Sequence, residues 1–140
     1  MKPFEFLEHT ADVKFRAFGL TPEEMLGNAA LAMFNAMIDT SKVREERVWE
    51  VDLSGPDLEQ LAYSWLSELV YLFDVEVAVF SRFEVHLVQS ESEWKLHARI
   101  FGEEIDGRRH AFECQVKAVT LHQFEVSHND HWTMQTILDV

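Results

Sequence analysis

The spacing of hydrophobic residues predicts two amphipathic helices. The first is expected to begin at Pro22, because Thr21 can cap it and Glu24 completes a capping box, and to end near Asp39. The second is expected to begin after Asp57, which follows a Gly-Pro break. Hydrophobic side chains recur at helical spacing in both: Met25, Leu26, Ala29, Ala30, Met33, Phe34 and Met37, then Leu58, Leu61, Ala62, Trp65, Leu66, Leu69, Leu72 and Phe73. Each helix should therefore bury one face.

Alternating hydrophobic and polar residues predict strands in the rest of the chain. The predicted strand regions are residues 4–7, 13–19, 48–53, 83–87, 94–100, 112–118 with 121–126, and 132–140. A hairpin turn is expected at residues 90–92 and a polar loop at 102–110. The pattern predicts an α+β fold with two layers, in which two helices pack on one face of a mainly antiparallel, mixed β-sheet.

Length and cysteine content narrow the class of protein. A chain of 140 residues has the usual size of one domain, so residues 1–140 are expected to form a single unit. Cys114 has no second cysteine to pair with, which excludes an internal disulfide and a cysteine zinc cluster. The sequence shows no secretory signal and no hydrophobic run of the roughly 20 residues that a membrane helix needs. A cytoplasmic location is the expectation.

The net charge of −13 bears on the choice of partner. Proteins that bind nucleic acid through its phosphates need clustered Lys and Arg, and here Arg108-Arg109 is the densest basic pair. We therefore expect little direct nucleic-acid binding. A protein partner with a basic surface suits this charge better, although acidity that serves only solubility is an equally good explanation from the sequence alone.

Candidate chemistry lies at the two ends of the chain. If the strand at residues 132–140 lies beside Asp12, the carboxylates of Asp12, Asp139 and the last residue, Val140, would meet. Three such anions repel unless a hard cation such as Ca²⁺ or Mg²⁺ binds them. Taken singly, each acid has an ordinary explanation. Asp12 could stabilise a turn by bonding its own backbone, and Asp139 could be an edge-strand acid that faces water.

Five motifs, in order along nearly the whole chain, resemble the archease family. They are Glu8-His9-Thr10-Ala11-Asp12, residues 28–34 with Asp39, residues 65–74, Lys117-Ala118-Val119-Thr120-Leu121-His122, and the final Ile-Leu-Asp-Val. The resemblance implies a non-enzymatic protein that activates the tRNA-splicing RNA ligase, which seals 2′,3′-cyclic or 3′-phosphate ends, by promoting its guanylylation and turnover. The sequence contains no glycine-rich phosphate loop, serine elbow or Cys-His signature. A metal-dependent phosphohydrolase and a chaperone-like binding module remain alternatives.

The resemblance also implies site residues. Asp12, Asp139 and the backbone oxygens of Val140 are the implied metal ligands, with Ca²⁺ the expected ion and Mg²⁺ or Mn²⁺ as alternatives. Four further residues are candidates for the metal site or for partner contact: Asp39, His9, Lys117 and His122. His9 is expected to orient a ligand through a hydrogen bond, since Ca²⁺ prefers oxygen. Lys117 could neutralise the acidic cluster or contact the ligase, and plain surface exposure is an equally good explanation of this residue.

Overall fold

A computed structural model describes residues 1–8 and 12–140 of the chain. Within these residues there are two helices, α1 (Pro22–Met37) and α2 (Leu58–Val75), and a short 3-10 helix that spans Thr40–Lys42. The same described residues form seven strands: β1 (Phe4–Leu7), β2 (Val13–Gly19), β3 (Arg47–Gly55), β4 (Ala78–Gln89), β5 (Trp94–Glu104), β6 (Ala118–His128) and β7 (Trp132–Asp139). Neither helix combines the length and apolar character needed to cross a membrane, within the ranges given above.

The strands form two sheets, in the orders β1-β2-β7-β6 and β3-β5-β4. Neighbouring strands are antiparallel in every pair. Each helix contacts both sheets: α1 lies against β2 and β4, and α2 lies against β3 and β6. The predicted α+β class with two helices is confirmed, and the sheet that was expected to be single and mixed is divided into two antiparallel sheets.

Both helix starts follow from the capping residues. The hydroxyl of Thr21 accepts a hydrogen bond from the N–H of Glu24 at 3.1 Å, and Asp57 accepts one from the N–H of Gln60 at 2.8 Å. These bonds satisfy donors that have no partner inside the helix. The predicted starts are therefore confirmed, and α1 ends at Met37, two residues before Asp39.

The core lies where the helices meet the two sheets. The indole N–H of fully buried Trp65 on α2 donates to the carbonyl of Leu26 on α1 at 2.9 Å, so the largest core side chain also links the helices. Phe34 packs edge-on against Phe80 of β4, with ring centroids 5.2 Å apart. Such pairs contribute about 0.5–1.5 kcal/mol beyond the burial of their area. Nearly all the residues that gave the helices their periodic pattern are buried here.

The strand predicted at residues 112–118 is wrong over most of its length, because β6 begins only at Ala118. The preceding segment is attached to the end of α1 instead. Glu113 N–H donates to the carbonyl of Met37 at 2.8 Å, and Val116 N–H points to the sulfur of Met37 at 3.3 Å. The segment alternates in polarity because Phe112, Cys114 and Val116 pack on the core. Its hydrogen-bond acceptors are at the end of α1 rather than on a neighbouring strand.

The predicted loop at residues 102–110 is shorter than expected. Strand β5 continues to Glu104, so Gly102 lies in the sheet, opposite Phe80. A Cβ at Gly102 would collide with the backbone carbonyl of Val79, which explains why this strand position has no side chain. The loop itself starts at Ile105, whose N–H donates to the carbonyl of Val77 at 2.8 Å.

Candidate functional site

The ends of three neighbouring strands lie side by side in the four-stranded sheet. Val13, the first residue of β2, pairs with Leu138, and Ala118, the first residue of β6, pairs with Asp139. Since β7 lies between β2 and β6, Asp139 is flanked by the beginnings of both neighbours. Asp12 immediately precedes Val13 in this register. The topology therefore brings the two aspartates to adjacent strand ends, although they are far apart in sequence.

Asp139 and Val140 differ in exposure. The side chain of Asp139 faces solvent, whereas Val140 is partly buried and packs against the core. The backbone carbonyl of Asp139 accepts a hydrogen bond from Lys117 N–H at 2.7 Å, which fixes the strand end beside the start of β6. The last residues thus form a strand packed on the protein, as the hydrophobic pattern of residues 132–140 predicted.

Lys117 and His122 both lie on the exposed surface next to this edge. Lys117 directly precedes β6, and its backbone N–H donates a hydrogen bond to the carbonyl of Asp139. His122 lies further along, where the pairing of β6 with β7 is irregular between Thr120 and Glu125. Gln123 adopts a φ of 56° there, a left-handed conformation that is uncommon for a residue with a side chain. The structure therefore associates Lys117 with the strand ends and places His122 on an irregular part of the edge strand.

Asp39 has a structural role of its own. Its carboxylate caps the short 3-10 helix, accepting hydrogen bonds from Ser41 N–H at 3.1 Å and Ser41 Oγ at 2.6 Å. These bonds to Ser41 lower the pKa of the Asp39 side chain. The cap gives a reason for an acid just beyond α1 without requiring a metal. His9, the last of the four further candidates, lies outside the residues that the structure describes.

The donors at the strand ends suit a hard cation in their chemistry. Carboxylate and backbone oxygens are the ligands that Ca²⁺ and Mg²⁺ prefer, and Asp139 offers an exposed carboxylate beside the last residue. Within residues 1–8 and 12–140, no group of three or more His, Cys, Asp or Glu side chains is arranged to hold a metal ion. The implied ligand set has only two such side chains, since Val140 contributes backbone oxygens, so metal binding by this set stays a prediction.

A second acidic centre, which the sequence did not reveal, surrounds Glu103. This side chain is only 3% exposed and accepts hydrogen bonds from Arg44 N–H at 2.6 Å and from the guanidinium of Arg109. Burial would raise its pKa, but the bonds from Arg44, Arg109 and His110 together hold the pKa below its ordinary value. His110 Nδ1 accepts a hydrogen bond from Asp106 N–H at 2.8 Å, so the ring proton is on Nε2. Nε2 lies 3.1 Å from Oε2 of Glu103 and donates to it.

A groove of about 540 Å³ opens between α2 and the start of β6. Tyr63, Ser67, Tyr71 and Asp74 line it from the helix, and residues 115–119 form the opposite wall. Lys117 therefore borders both the groove and the end of β7. The sequence of residues 65–74 predicted a buried helix face and carried a family motif, but it did not predict a groove. The signal for the groove is the second stripe on α2, spaced by three and four residues, that carries hydroxyl and acidic groups.

Comparison with known proteins shows the family directly. A model of the Archease protein family matches residues 4–140. Protein archease of Methanosarcina acetivorans is 48% identical over 141 aligned residues, covering 99% of this chain and 97% of the relative. Protein archease of Pyrococcus abyssi is 37% identical, with both chains fully covered. The solution structure of protein 1598 from Methanobacterium thermoautotrophicum superposes with a TM-score of 0.90 at 39% identity, again over the whole of both chains. The chain belongs to the archease family.

Proposed function

We propose that this protein is a non-enzymatic activator of the tRNA-splicing RNA ligase that joins 3′-phosphate ends, and that it promotes guanylylation of the ligase and its repeated turnover. The observation that supports the proposal is the convergence of the β2, β6 and β7 ends, where Asp139 presents an exposed carboxylate next to Asp12 and Lys117. Membership of the archease family gives the proposal its partner.

The proposed metal ligands are Asp12, Asp139 and the backbone oxygens of Val140, with Ca²⁺ as the first candidate and Mg²⁺ or Mn²⁺ as alternatives. A divalent cation bound there would supply positive charge for the phosphates of a nucleotide. The chain's own residues prepare the position. Lys117 N–H holds the backbone of Asp139, and the packing of Val140 on the core limits the freedom of the strand end. The carboxylates can then bind a cation with little further ordering.

The charge of the chain favours a protein partner over RNA. With a net charge of −13, the protein would repel a free RNA strand but attract the basic surface that an RNA ligase needs for its own substrate. Binding of a tRNA half to this protein alone at physiological salt should be no tighter than about 10⁻⁴ M, the weak end of non-specific binding. Sub-micromolar binding without the ligase would contradict a partner-protein function.

Single-turnover formation of ligase–GMP tests the proposal. The ligase is mixed with GTP and a divalent metal, with and without this protein, and the covalent product is followed over time. We expect the protein to accelerate its formation, and we expect Asp139→Asn to remove most of the acceleration. Asp130→Asn, in the exposed turn before β7, is the matched control and should behave like the wild type. Phosphate release without ligase would indicate a phosphohydrolase instead, and no effect on ligase–GMP would refute the proposal.

A further inference from the structure

Resting on the proposed function, we infer that the groove between α2 and the start of β6 is the surface that binds the ligase. Its occupant is a ligase segment that inserts an arginine between Tyr71 and Asp74. The groove is suitably placed, because Lys117 lies on its wall and is bonded through its N–H to Asp139. A partner that reaches the carboxylates at the strand ends would therefore cover the groove as well.

The polar lining of the groove comes from a stripe of α2 that is partly buried or exposed, and Tyr63 at one end of it also packs against the core. Tyr63, Ser67, Tyr71 and Asp74 follow one another at spacings of three and four residues, so they form one stripe along the helix. The core-facing positions, such as Trp65 and Leu69, belong to a different stripe and are fully buried. Tyr71 is 57% exposed, so its ring is accessible to a partner.

The negative charge on the α2 side of the groove favours a positively charged side chain from the partner. Asp74 lines the groove from α2 and Lys117 lines it from the opposite wall, and the stretch of chain between Arg47 and Arg82, which contains α2, has no Lys or Arg. The last turn of α2 contains no basic residue, so Asp74 faces the negative end of the helix dipole without compensation from that turn. A positive side chain from a partner would relieve this repulsion. A second copy of this acidic chain, or RNA, would increase it.

The neighbouring groups favour arginine in particular. Tyr71 and Asp74 are three residues apart on the helix, so an aromatic ring and a carboxylate stand side by side. A guanidinium can stack on the ring while its N–H groups bond the carboxylate. Lys117, on the opposite wall, sets the orientation of the segment, because the arginine must lie on the α2 side, away from that ammonium group.

The test measures the dissociation constant of the intact ligase complex by a method independent of activity, such as calorimetry. Asp74→Lys and Tyr71→Ala should each weaken the complex about tenfold or more, as expected for central interface residues. Asp74→Lys should also leave the melting temperature unchanged or higher, because a cation at a helix C-terminus is favourable. Loss of binding in that variant therefore cannot be attributed to unfolding.

Two controls make the test specific. Glu91→Lys changes the charge equally at the exposed β4–β5 turn, and Val88→Ala removes an exposed hydrophobic side chain from β4. Both should bind like the wild type. The inference is overturned if Asp74→Lys and Tyr71→Ala bind the ligase normally, or if Glu91→Lys weakens binding as much as Asp74→Lys. If the wild-type protein neither binds nor activates the ligase, the proposed function itself fails, and that result is distinct because it appears without any substitution.

Discussion

Glu103 and Asp139 are acids in opposite situations. Glu103 is buried, and its carboxylate receives hydrogen bonds from Arg44, Arg109 and His110. Asp139 is exposed at the end of β7, where the hydrogen bond that fixes it involves its backbone carbonyl rather than its side chain. The Glu103 carboxylate is hydrogen-bonded inside the fold, whereas the Asp139 carboxylate faces solvent.

This difference separates structural acids from candidate binding acids. A buried carboxylate is tolerated only when donors replace the water that it lost, so its partners must be part of the protein. An exposed carboxylate at the meeting point of three strands incurs no such desolvation cost and keeps its oxygens accessible to a cation or a partner. Substitution should therefore affect stability at Glu103 and binding at Asp139.

The largest effect is expected from removing the buried carboxylate. Glu103→Ala leaves His110 and the N–H of Arg44 without their acceptor and should lower the free energy of unfolding by about 2–3 kcal/mol. The value lies below the usual range for a broken buried pair because the Arg109 side chain is 31% exposed and keeps contact with water. Urea denaturation measures the change.

Glu104→Ala is the matched control for this loss. Its side chain is exposed and bonds Arg47 at 2.8 Å on the surface, where an ion pair contributes about 0–1 kcal/mol. A control variant that loses as much stability as Glu103→Ala would show that the strand end, rather than the buried carboxylate, determines the effect.

The pH dependence of stability provides a second, smaller test of the same centre. The folded protein holds the pKa of Glu103 below its ordinary value of 4.5, so the charged form stabilises the fold above that pH. As the pH falls from 4.5 through the lower folded pKa, this contribution should disappear. The difference in unfolding free energy between the wild type and Glu103→Gln should therefore be greatest near neutral pH and shrink in acid. A difference that stays constant down to pH 3 would contradict this assignment.

The same contrast shows what the sequence could predict. The helix starts at Thr21 and Asp57, the strands around them and the ordered last strand all follow from local signals, namely capping residues and hydrophobic periodicity. The pairing of β2 with β7 is not local. The sequence predicted that Asp12 would lie near Asp139 only if the last strand lies beside the strand that begins at Val13. The pairing of Val13 with Leu138 meets that condition.

The features that sequence analysis missed depend on contacts between distant segments. Glu103 lies in the segment that the sequence predicted as a polar loop, and nothing in the sequence around it indicates that Arg44 will lie beside it. Residues 112–116 alternate like a strand because they pack on the core, but the end of α1 supplies their hydrogen-bond partners. Hydrophobic alternation reports burial of alternate side chains, and a segment beside a helix end satisfies the same pattern without a neighbouring strand.

Removing the exposed carboxylate should change metal binding and leave the fold intact. A cation that binds only the native state at 100 times its dissociation constant stabilises the protein by about 2.7 kcal/mol. Calcium should therefore raise the melting temperature of the wild type, and Asp12→Asn or Asp139→Asn should remove most of the rise. Both variants should melt near the wild type without metal. A full calcium response in both would show that the cation binds elsewhere.

The smallest change concerns Val140, and its effect depends on the backbone alone. Val140→Ile should be nearly silent, because both residues are β-branched strand formers and present the same backbone oxygens to a cation.

A protein that ends at Val140 is then compared with one extended by Gly-Ser, in which the carboxylate becomes a neutral amide and one negative charge leaves the site. Since cation affinity depends on the number of charged ligands, calcium binding should weaken about tenfold, and acceleration of ligase–GMP formation should fall with it. Circular dichroism should show an unchanged fold, because Val140 still packs on the core. If the extended protein binds calcium as tightly as the unextended one, the terminal carboxylate is not a ligand, and the side chains of Asp12 and Asp139 must bind the cation without it.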